Sequence, residues 1–221
     1  MEQNLSKKTR TESDLIGSRE VPESALYGVQ TLRGIENFRI SKFHLNEYPL
    51  FIQALAITKM GAAVANRELD LLTEEQADAI LKACKEILEG KHHDQFPVDM
   101  IQGGAGTTTN MNANEVIANR ALELMGHQRG EYQYCSPNDH VNRSQSTNDA
   151  YPTAIHIGLY YTHLKLVKHF EVLIESFRKK ATEFAHVIKM GRTQLEDAVP
   201  MTLGQTFNGF ASILRHEVKN L

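Results

Sequence analysis

The chain of 221 residues is 41% apolar, which is enough for a buried core, and its net charge of −3 arises from interspersed charges of both signs. This balance excludes a basic nucleic-acid surface and a polybasic membrane patch, and no apolar run approaches the ~20 residues that span a bilayer. Cys84 and Cys135 lack metal-ligand spacing and the N-terminus lacks an apolar signal region. We therefore expect small-molecule chemistry in a reducing cytoplasm, with no nucleic-acid or membrane partner.

The first third of the chain contains two clear helical patterns. Residues 1–12 are polar and predict a tail, with order starting near Asp14. Residues 18–38 mix proline and glycine with scattered apolar residues, which favours short strands or irregular structure over a helix. Apolar spacing then predicts one helix over residues 50–69 and a second that follows the capping box at residues 73–76 and ends at a glycine.

A glycine-rich and threonine-rich stretch, QGGAGTTTN, occupies residues 102–110 and precedes a helical pattern over residues 112–125. The glycines allow close approach of the backbone, the threonines supply hydroxyl donors, and the helix start favours an anion. A simple glycine-rich turn is an equal alternative, and a helix-cap role is an open interpretation of Asn110 and Asn112. No phosphate-loop motif is present. The adjacent His92 and His93 lack the spacing of a metal pair, so no metal site is predicted.

The run SPNDHVNRSQSTNDAYPT, residues 136–153, concentrates hydroxyls, carboxamides and acids ahead of the longest helical pattern. Its centre is Ser146-Thr147-Asn148-Asp149. Such residues cap helix starts, and the same helix start can hold a carboxylate, so capping and binding are both open interpretations. His140 beside Asp139 is typical of a local structural pair rather than an acid.

The remaining residues predict a helical bundle. An uninterrupted pattern over residues 153–186 predicts a helix of about 33 residues, roughly 50 Å long at 1.5 Å per residue, and hence an oligomer. A polar break at residues 190–200 follows, where Arg192 fits either a carboxylate contact or a salt bridge. A further helix runs from Thr202 to Leu221 without an end signal, as if cut in mid-element. We place the domains at residues 1–142, a mixed N-terminal domain, and 143–221, the first part of a bundle.

Three polar stretches thus share neutral donors and exposed backbone. Such donors suit a substrate with several negative oxygens and a transition state in which charge grows on one of them. A carboxylate substrate is the natural expectation, because proton removal beside a carboxylate produces a doubly charged aci-carboxylate that fixed donors stabilise.

Five stretches of the sequence resemble the aspartase/fumarase superfamily from about Asp14 to the end: REVPESALYGVQTLRGIENF, GGAGTTTNMNANEVIAN, LMGHQRGEYQY, SPNDHVNRSQSTNDAYPT and GRTQLEDAVPMTLGQ. The resemblance implies a mainly α fold, in which a mixed N-terminal helical domain leads into a long central helix bundle. It also implies a homotetramer with active sites shared between subunits and no organic cofactor.

The resemblance further implies the roles of individual residues. Thr107, Ser146, Thr147 and Asn148 would hold the side-chain carboxylate and amino group of the substrate. Thr193 and Gln194 would meet its other end as the catalytic pair. Ser136, Pro137, Asn138 and Asp139 resemble a segment that forms a secondary carboxylate site.

Gln194 favours ammonia elimination over water elimination. Fumarases typically carry histidine at this position, and loss of hydroxide from malate needs a proton donor that glutamine cannot be, whereas an ammonium group leaves with its protons. The expected reaction is reversible elimination of ammonia from L-aspartate to give fumarate. The alternatives are a fumarase or related lyase of the same superfamily and, from another class, a non-catalytic helical assembly module.

The resemblance places the serine that acts as catalytic base beyond Leu221, so we expect residues 1–221 alone to be inactive. Thr147 at the start of the long helix and Thr193 past its end would be roughly 50 Å apart along a straight helix. The short linker that follows the helix cannot close this distance at ~3.5 Å per residue. Each site is therefore expected to draw on several chains.

Overall fold

The computed structural model describes residues 8–221. The chain divides into two compact units, Met1–Leu159 and Tyr160–Leu221. This division falls inside a helix and does not test the predicted domain boundary between residues 142 and 143, which stays a prediction.

Helices dominate both units, as the mainly α prediction stated. The first unit contains β1 (Thr9–Asp14), β2 (Gly17–Pro22), α1 (Val29–Asn37), a 3-10 turn (Leu45–Glu47), α2 (Pro49–Glu68), α3 (Glu74–Leu88), a 3-10 turn (His93–Gln95), α4 (Thr107–Leu124), a π-helix (Pro137–Val141) and the start of α5 (Thr147–Glu183). The second unit contains the rest of α5, β3 (Ile188–Thr193), β4 (Glu196–Thr202) and α6 (Leu203–Asn220). No helix within residues 8–221 is long and apolar enough to cross a membrane.

The N-terminal predictions needed two corrections. Of the predicted tail, residues 1–7 lie outside the described residues, but β1 starts at Thr9 and pairs antiparallel with β2. Val29–Asn37 forms α1, where short strands or irregular structure were predicted. Its start has no side-chain cap from its own N-cap residue, and carboxylates distant in sequence bond its free N–H groups instead. A local sequence pattern cannot reveal a cap that comes from distant residues.

The two helices with strong apolar periodicity are confirmed. In α3 the Thr73 hydroxyl accepts from the Gln76 N–H and the Gln76 side chain accepts from the Thr73 N–H, each at 3.2 Å. This is the predicted capping box. α3 packs against both α2 and α4, and the buried core lies between these helices.

α4 and α5 begin earlier than their apolar patterns suggested. α4 starts at Thr107 rather than residue 112, and α5 starts at Thr147 rather than residue 153. Apolar spacing cannot mark these first turns, because they consist of polar residues. The consequence is that Thr107 and Thr147 are each the first residue of a helix.

In the second unit, the predicted polar break is a β-hairpin. β3 pairs antiparallel with β4, with Thr193 opposite Glu196 and a bulge at Gly191. The capping box of α6 joins Thr202 and Gln205 through bonds of 2.8 and 3.1 Å. Phe177 and Phe184 of α5, which the predicted apolar stripe included, pack against Phe207 of α6 at ring-centre distances of 6.1 and 5.8 Å.

Candidate active site

The glycine-rich loop turns sharply into α4. Gly104 and Gly106 adopt left-handed backbone conformations, with φ of 71° and 82°. The Gly106 backbone also lies against the ring of Tyr151 on α5, where an added Cβ would collide. Only glycine combines this φ with this approach. The loop therefore brings the start of α4, including the exposed Thr107, beside the start of α5.

Gln102 holds this loop closed. Its side chain accepts from the Thr109 N–H at 2.8 Å and donates to the Thr109 hydroxyl at 2.6 Å. Among the described residues, the N–H groups of Thr107 and Thr108 have no such acceptor. An anion at this helix start would meet unpaired donors and the positive end of the helix dipole.

The starts of α4 and α5 are joined by a buried asparagine. Asn110 on α4 is 1% exposed, and its Nδ2 donates to Thr147 Oγ1 at 3.2 Å and to Asn142 Oδ1 at 3.1 Å. The structure thus brings the segments of Thr107 and of Ser146–Asn148 together. The cap interpretation of Asn110 does not hold, because its side chain bonds another segment rather than its own helix start.

Ser146 and Asp149 cap α5. The Ser146 N–H donates to the Asp149 carboxylate at 3.2 Å, and the Ser146 hydroxyl accepts from the Asn148 N–H at 3.2 Å. The capping interpretation of this stretch is confirmed. The side chains of Ser146 and Asn148 remain exposed, and Thr147 is half-buried, so capping leaves them accessible to a ligand.

Lys59 on α2 is 0% exposed and contacts the loop that precedes α5. Its ammonium donates to Asn142 Oδ1 and Gln145 Oε1, each at 2.9 Å. Burial lowers the pKa of Lys59 to about 7, although the nearby Cys84 and Asp149 act in the opposite direction. Sequence reasoning missed this residue. The available signal was its position four residues before Ala63, on the apolar face of α2.

The buried lysine predicts a pH-dependent stability. The folded-state pKa lies below the ordinary 10.5, so the unfolded chain binds more protons above pH 7 and stability rises with pH in that range. We expect the free energy of unfolding to rise by about 2 kcal/mol between pH 7 and pH 9 relative to Lys59→Met, whose side chain has similar length and no charge. Urea unfolding of both proteins across this range measures the difference. Parallel pH profiles would contradict it.

The segment assigned to a secondary carboxylate site bonds largely to itself. The Ser136 hydroxyl donates to Asp139 Oδ2 at 3.0 Å and accepts from the Asp139 N–H at 3.1 Å. The Ser136 N–H donates to His140 Nδ1 at 2.7 Å, and burial lowers the His140 pKa. His140 and Asp139 thus each bond Ser136 within their own segment. Ser136, Pro137 and the exposed Asn138 line an open cavity of about 570 Å³.

Two buried carboxylates meet at the start of α1, close to this cavity. Glu115 on α4 accepts from the N–H groups of Gly28, Gln30 and Thr31 at 2.8, 2.8 and 3.0 Å. Glu12 on β1 accepts from the Val29 N–H at 3.0 Å. Burial raises the Glu115 pKa, and the N–H donors offset part of that rise. Sequence reasoning missed this pair as well, because its partners are up to 87 residues away.

The other predicted residues lie at the tip of the β3–β4 hairpin. Thr193 and Gln194 are exposed, and Gln194 and Leu195 form a two-residue turn with φ of 50° and 67°. Left-handed backbone is strained for non-glycine residues, so the turn is an outlier of a kind that clusters at functional sites. Arg192 pairs with Asp197 at 3.4 Å, as its salt-bridge interpretation stated. This hairpin belongs to the second unit.

The two adjacent histidines have structural partners. His92 Nε2 lies 2.7 Å from Glu86, and His93 Nε2 lies 2.8 Å from the Ile87 carbonyl. Over residues 8–221, no group of three or more His, Cys, Asp or Glu side chains is placed to hold a metal ion.

Comparison with known proteins gives consistent matches. A family model described as "Lyase" matches residues 17–221. The aspartate ammonia-lyase of Escherichia coli K12 is 56% identical over 218 residues, which is 98% of this chain and 46% of that protein. The chain therefore spans about half the length of this relative.

Solved structures of lyases also match this chain. A fumarate lyase:delta crystallin from Brucella melitensis has a TM-score of 0.92 at 52% identity, over 96% of this chain and 46% of that one. A class II fumarase from Schistosoma mansoni has a TM-score of 0.87 at 38% identity, over 96% and 44% of the two chains. The chain therefore belongs to this lyase family, within the aspartase/fumarase superfamily that its motifs resemble.

Proposed function

We propose that this chain is part of an aspartate ammonia-lyase, which eliminates ammonia from L-aspartate to give fumarate. The observation that carries the proposal is the pairing of two helix starts, α4 at Thr107 and α5 at Thr147, through the Asn110–Thr147 hydrogen bond. Two helix starts lined with hydroxyls and amides favour a carboxylate. The 56% identity to an aspartate ammonia-lyase supports the same substrate.

In the proposed reaction, Thr107, Ser146, Thr147 and Asn148 bind the side-chain carboxylate and amino group. Removal of the neighbouring proton doubles the charge on that carboxylate, and hydrogen bonds from fixed donors strengthen as the charge grows. Thr193 and Gln194 bind the other end. No step assigned to these residues needs an organic cofactor.

A fumarase is the second candidate, which the 38% identity to a class II fumarase supports. Gln194 argues against it, since an amide cannot protonate a departing hydroxide. The secondary carboxylate site at Ser136, Pro137, Asn138 and Asp139 also stays a proposal. Asn138 is the side chain of this segment most available to a ligand, because Ser136 and Asp139 bond to each other.

A homotetramer with shared sites is part of the proposal. Large apolar side chains of the second unit are exposed: Leu195 at 92%, Ile188 at 80%, Val199 at 68% and Ile213 at 61%. Burial of such side chains favours association by roughly 25 cal/mol per Å² of apolar surface. We place the assembled enzyme in the cytoplasm, with no nucleic-acid or membrane partner.

The deciding experiment is an assay of the complete protein for fumarate formation from L-aspartate and, separately, from L-malate. We expect turnover with aspartate and at least 100-fold less with malate. Preference for malate would establish the fumarase instead. The same assay on residues 1–221 alone should show no turnover.

Shared sites have their own test. Ser146→Ala and Thr193→Ala variants of the complete protein, each inactive, should recover activity when they are mixed, dissociated and reassembled. A mixture that assembles and stays inactive would argue against sites built from several chains.

A further inference from the structure

A network of partly buried hydrogen bonds connects α2 to Thr147, and the groups that meet in it fix which partner donates in each bond. It begins at Lys59, whose Nζ donates to Asn142 Oδ1 and Gln145 Oε1, both at 2.9 Å. The ammonium has three hydrogens and the neutral amine has two, so both forms can donate to these two acceptors. The contact fixes the Asn142 amide with its oxygen toward Lys59 and its Nδ2 toward the Gln145 carbonyl, 3.1 Å away.

The next link is Asn110. Its amide contacts the same Asn142 Oδ1 at 3.1 Å, and an oxygen already facing a lysine can only accept. Asn110 must therefore present its nitrogen. The opposite flip would set two acceptors against each other. In this orientation Asn110 Oδ1 is buried and has no hydrogen-bond partner among residues 8–221. The two bonds of Nδ2 therefore determine the orientation of the amide even though its oxygen is unsatisfied.

The last link is Thr147. Asn110 Nδ2 lies 3.2 Å from Thr147 Oγ1, and an amide nitrogen has no lone pair to accept with, so the hydroxyl oxygen accepts. The hydrogen of the Thr147 hydroxyl is not used in this bond. In the described part of the chain it has no acceptor, and Thr147 is half-buried at the start of α5.

We propose that Asn110 is a positioning residue that fixes the Thr147 hydroxyl as a hydrogen-bond donor toward the substrate carboxylate. The proposal rests on the proposed function, since it assigns a direction to one donor of that site. A threonine hydroxyl with no fixed partner rotates, and it can donate or accept a hydrogen bond. A threonine whose oxygen is already occupied by an amide donor is prepared to donate before the substrate arrives, which is the preorganisation that stabilises growing negative charge.

The test is a double-mutant cycle in the complete protein. Asn110→Leu removes the donor with little change in volume, and Thr147→Val removes the hydroxyl at nearly constant shape. We expect Asn110→Leu to lower kcat/KM for aspartate at least 10-fold in the wild-type background and less than 3-fold in the Thr147→Val background. Additive losses would overturn the proposal, because they would show that Asn110 does not act through Thr147.

Asn112 provides the matched control. It is an equally buried asparagine on α4, but its Nδ2 donates to the Gln95 carbonyl, and within residues 8–221 it makes no hydrogen bond to Thr147. Asn112→Leu should lower stability and leave kcat/KM within 3-fold of wild type. An equal loss of kcat/KM in both variants would assign Asn110 a purely structural role. If Asn110→Leu fails to fold, the smaller Asn110→Ala takes its place in the cycle.

A binding readout separates this proposal from the proposed function. Succinate, an unreactive dicarboxylate, should bind Asn110→Leu at least 5-fold more weakly than wild type in calorimetry, and the effect should vanish in the Thr147→Val background. Absence of aspartate turnover with this succinate pattern intact would reject the proposed function alone. Normal turnover with unchanged succinate affinity in Asn110→Leu would reject the role of Asn110 alone.

Discussion

Glu115→Ala should lower the free energy of unfolding by about 3 kcal/mol, because it leaves the N–H groups of Gly28, Gln30 and Thr31 without an acceptor and each unpaired buried group costs about 1–3 kcal/mol. The Glu115 side chain, 1% exposed, also fills space between α4 and α1. Urea unfolding followed by far-ultraviolet circular dichroism measures the loss.

Two variants sharpen this experiment. Glu115→Gln keeps one acceptor oxygen in the same shape and should cost about half as much as the alanine variant. Glu89→Ala removes a carboxylate whose ion pair with Lys91 is exposed to solvent, and should change stability by less than about 0.5 kcal/mol. Similar losses of unfolding free energy for Glu89→Ala and Glu115→Ala would show that the Glu115 cap of α1 does not stabilise the fold.

Thr147→Val should lower kcat/KM for aspartate roughly 100-fold in the complete protein, since one preorganised donor to a developing oxyanion is worth about that factor. Valine has nearly the shape of threonine, and Thr147 is half-buried, so the start of α5 should persist. Steady-state fumarate formation measures the loss. It should appear in kcat as well as in KM, because the donor stabilises the transition state more than bound aspartate.

Two controls accompany Thr147→Val. Thr147→Ser keeps the hydroxyl and should recover most of the activity. Thr153→Val makes the same change at an exposed position of the same helix and should have no effect. Unchanged kcat/KM in Thr147→Val would remove Thr147 from the proposed site.

Local sequence patterns did not predict α1 or the β3–β4 hairpin. α1 was predicted as short strands or irregular structure because its cap comes from Glu12 and Glu115 rather than from an adjacent residue. The β3–β4 hairpin was predicted as a polar break because its turn, Gln194-Leu195, is not one of the asparagine or glycine pairs that favour this conformation. In both places a nonlocal contact or a strained backbone overrides local propensity.

Apolar periodicity alone predicted α2, α3 and α6, because a helix that buries one face repeats that face in its sequence. Residue type also indicated that the polar helix starts at residues 102–110 and 146–149 favour an anion, whereas the resemblance to the superfamily selected Thr107, Ser146, Thr147 and Asn148 among them. Only the tertiary structure revealed that Lys59, Asn142 and Asn110 connect α2 to Thr147. The direction of a hydrogen bond depends on which groups meet in space, and these residues are separated by 32 to 83 positions.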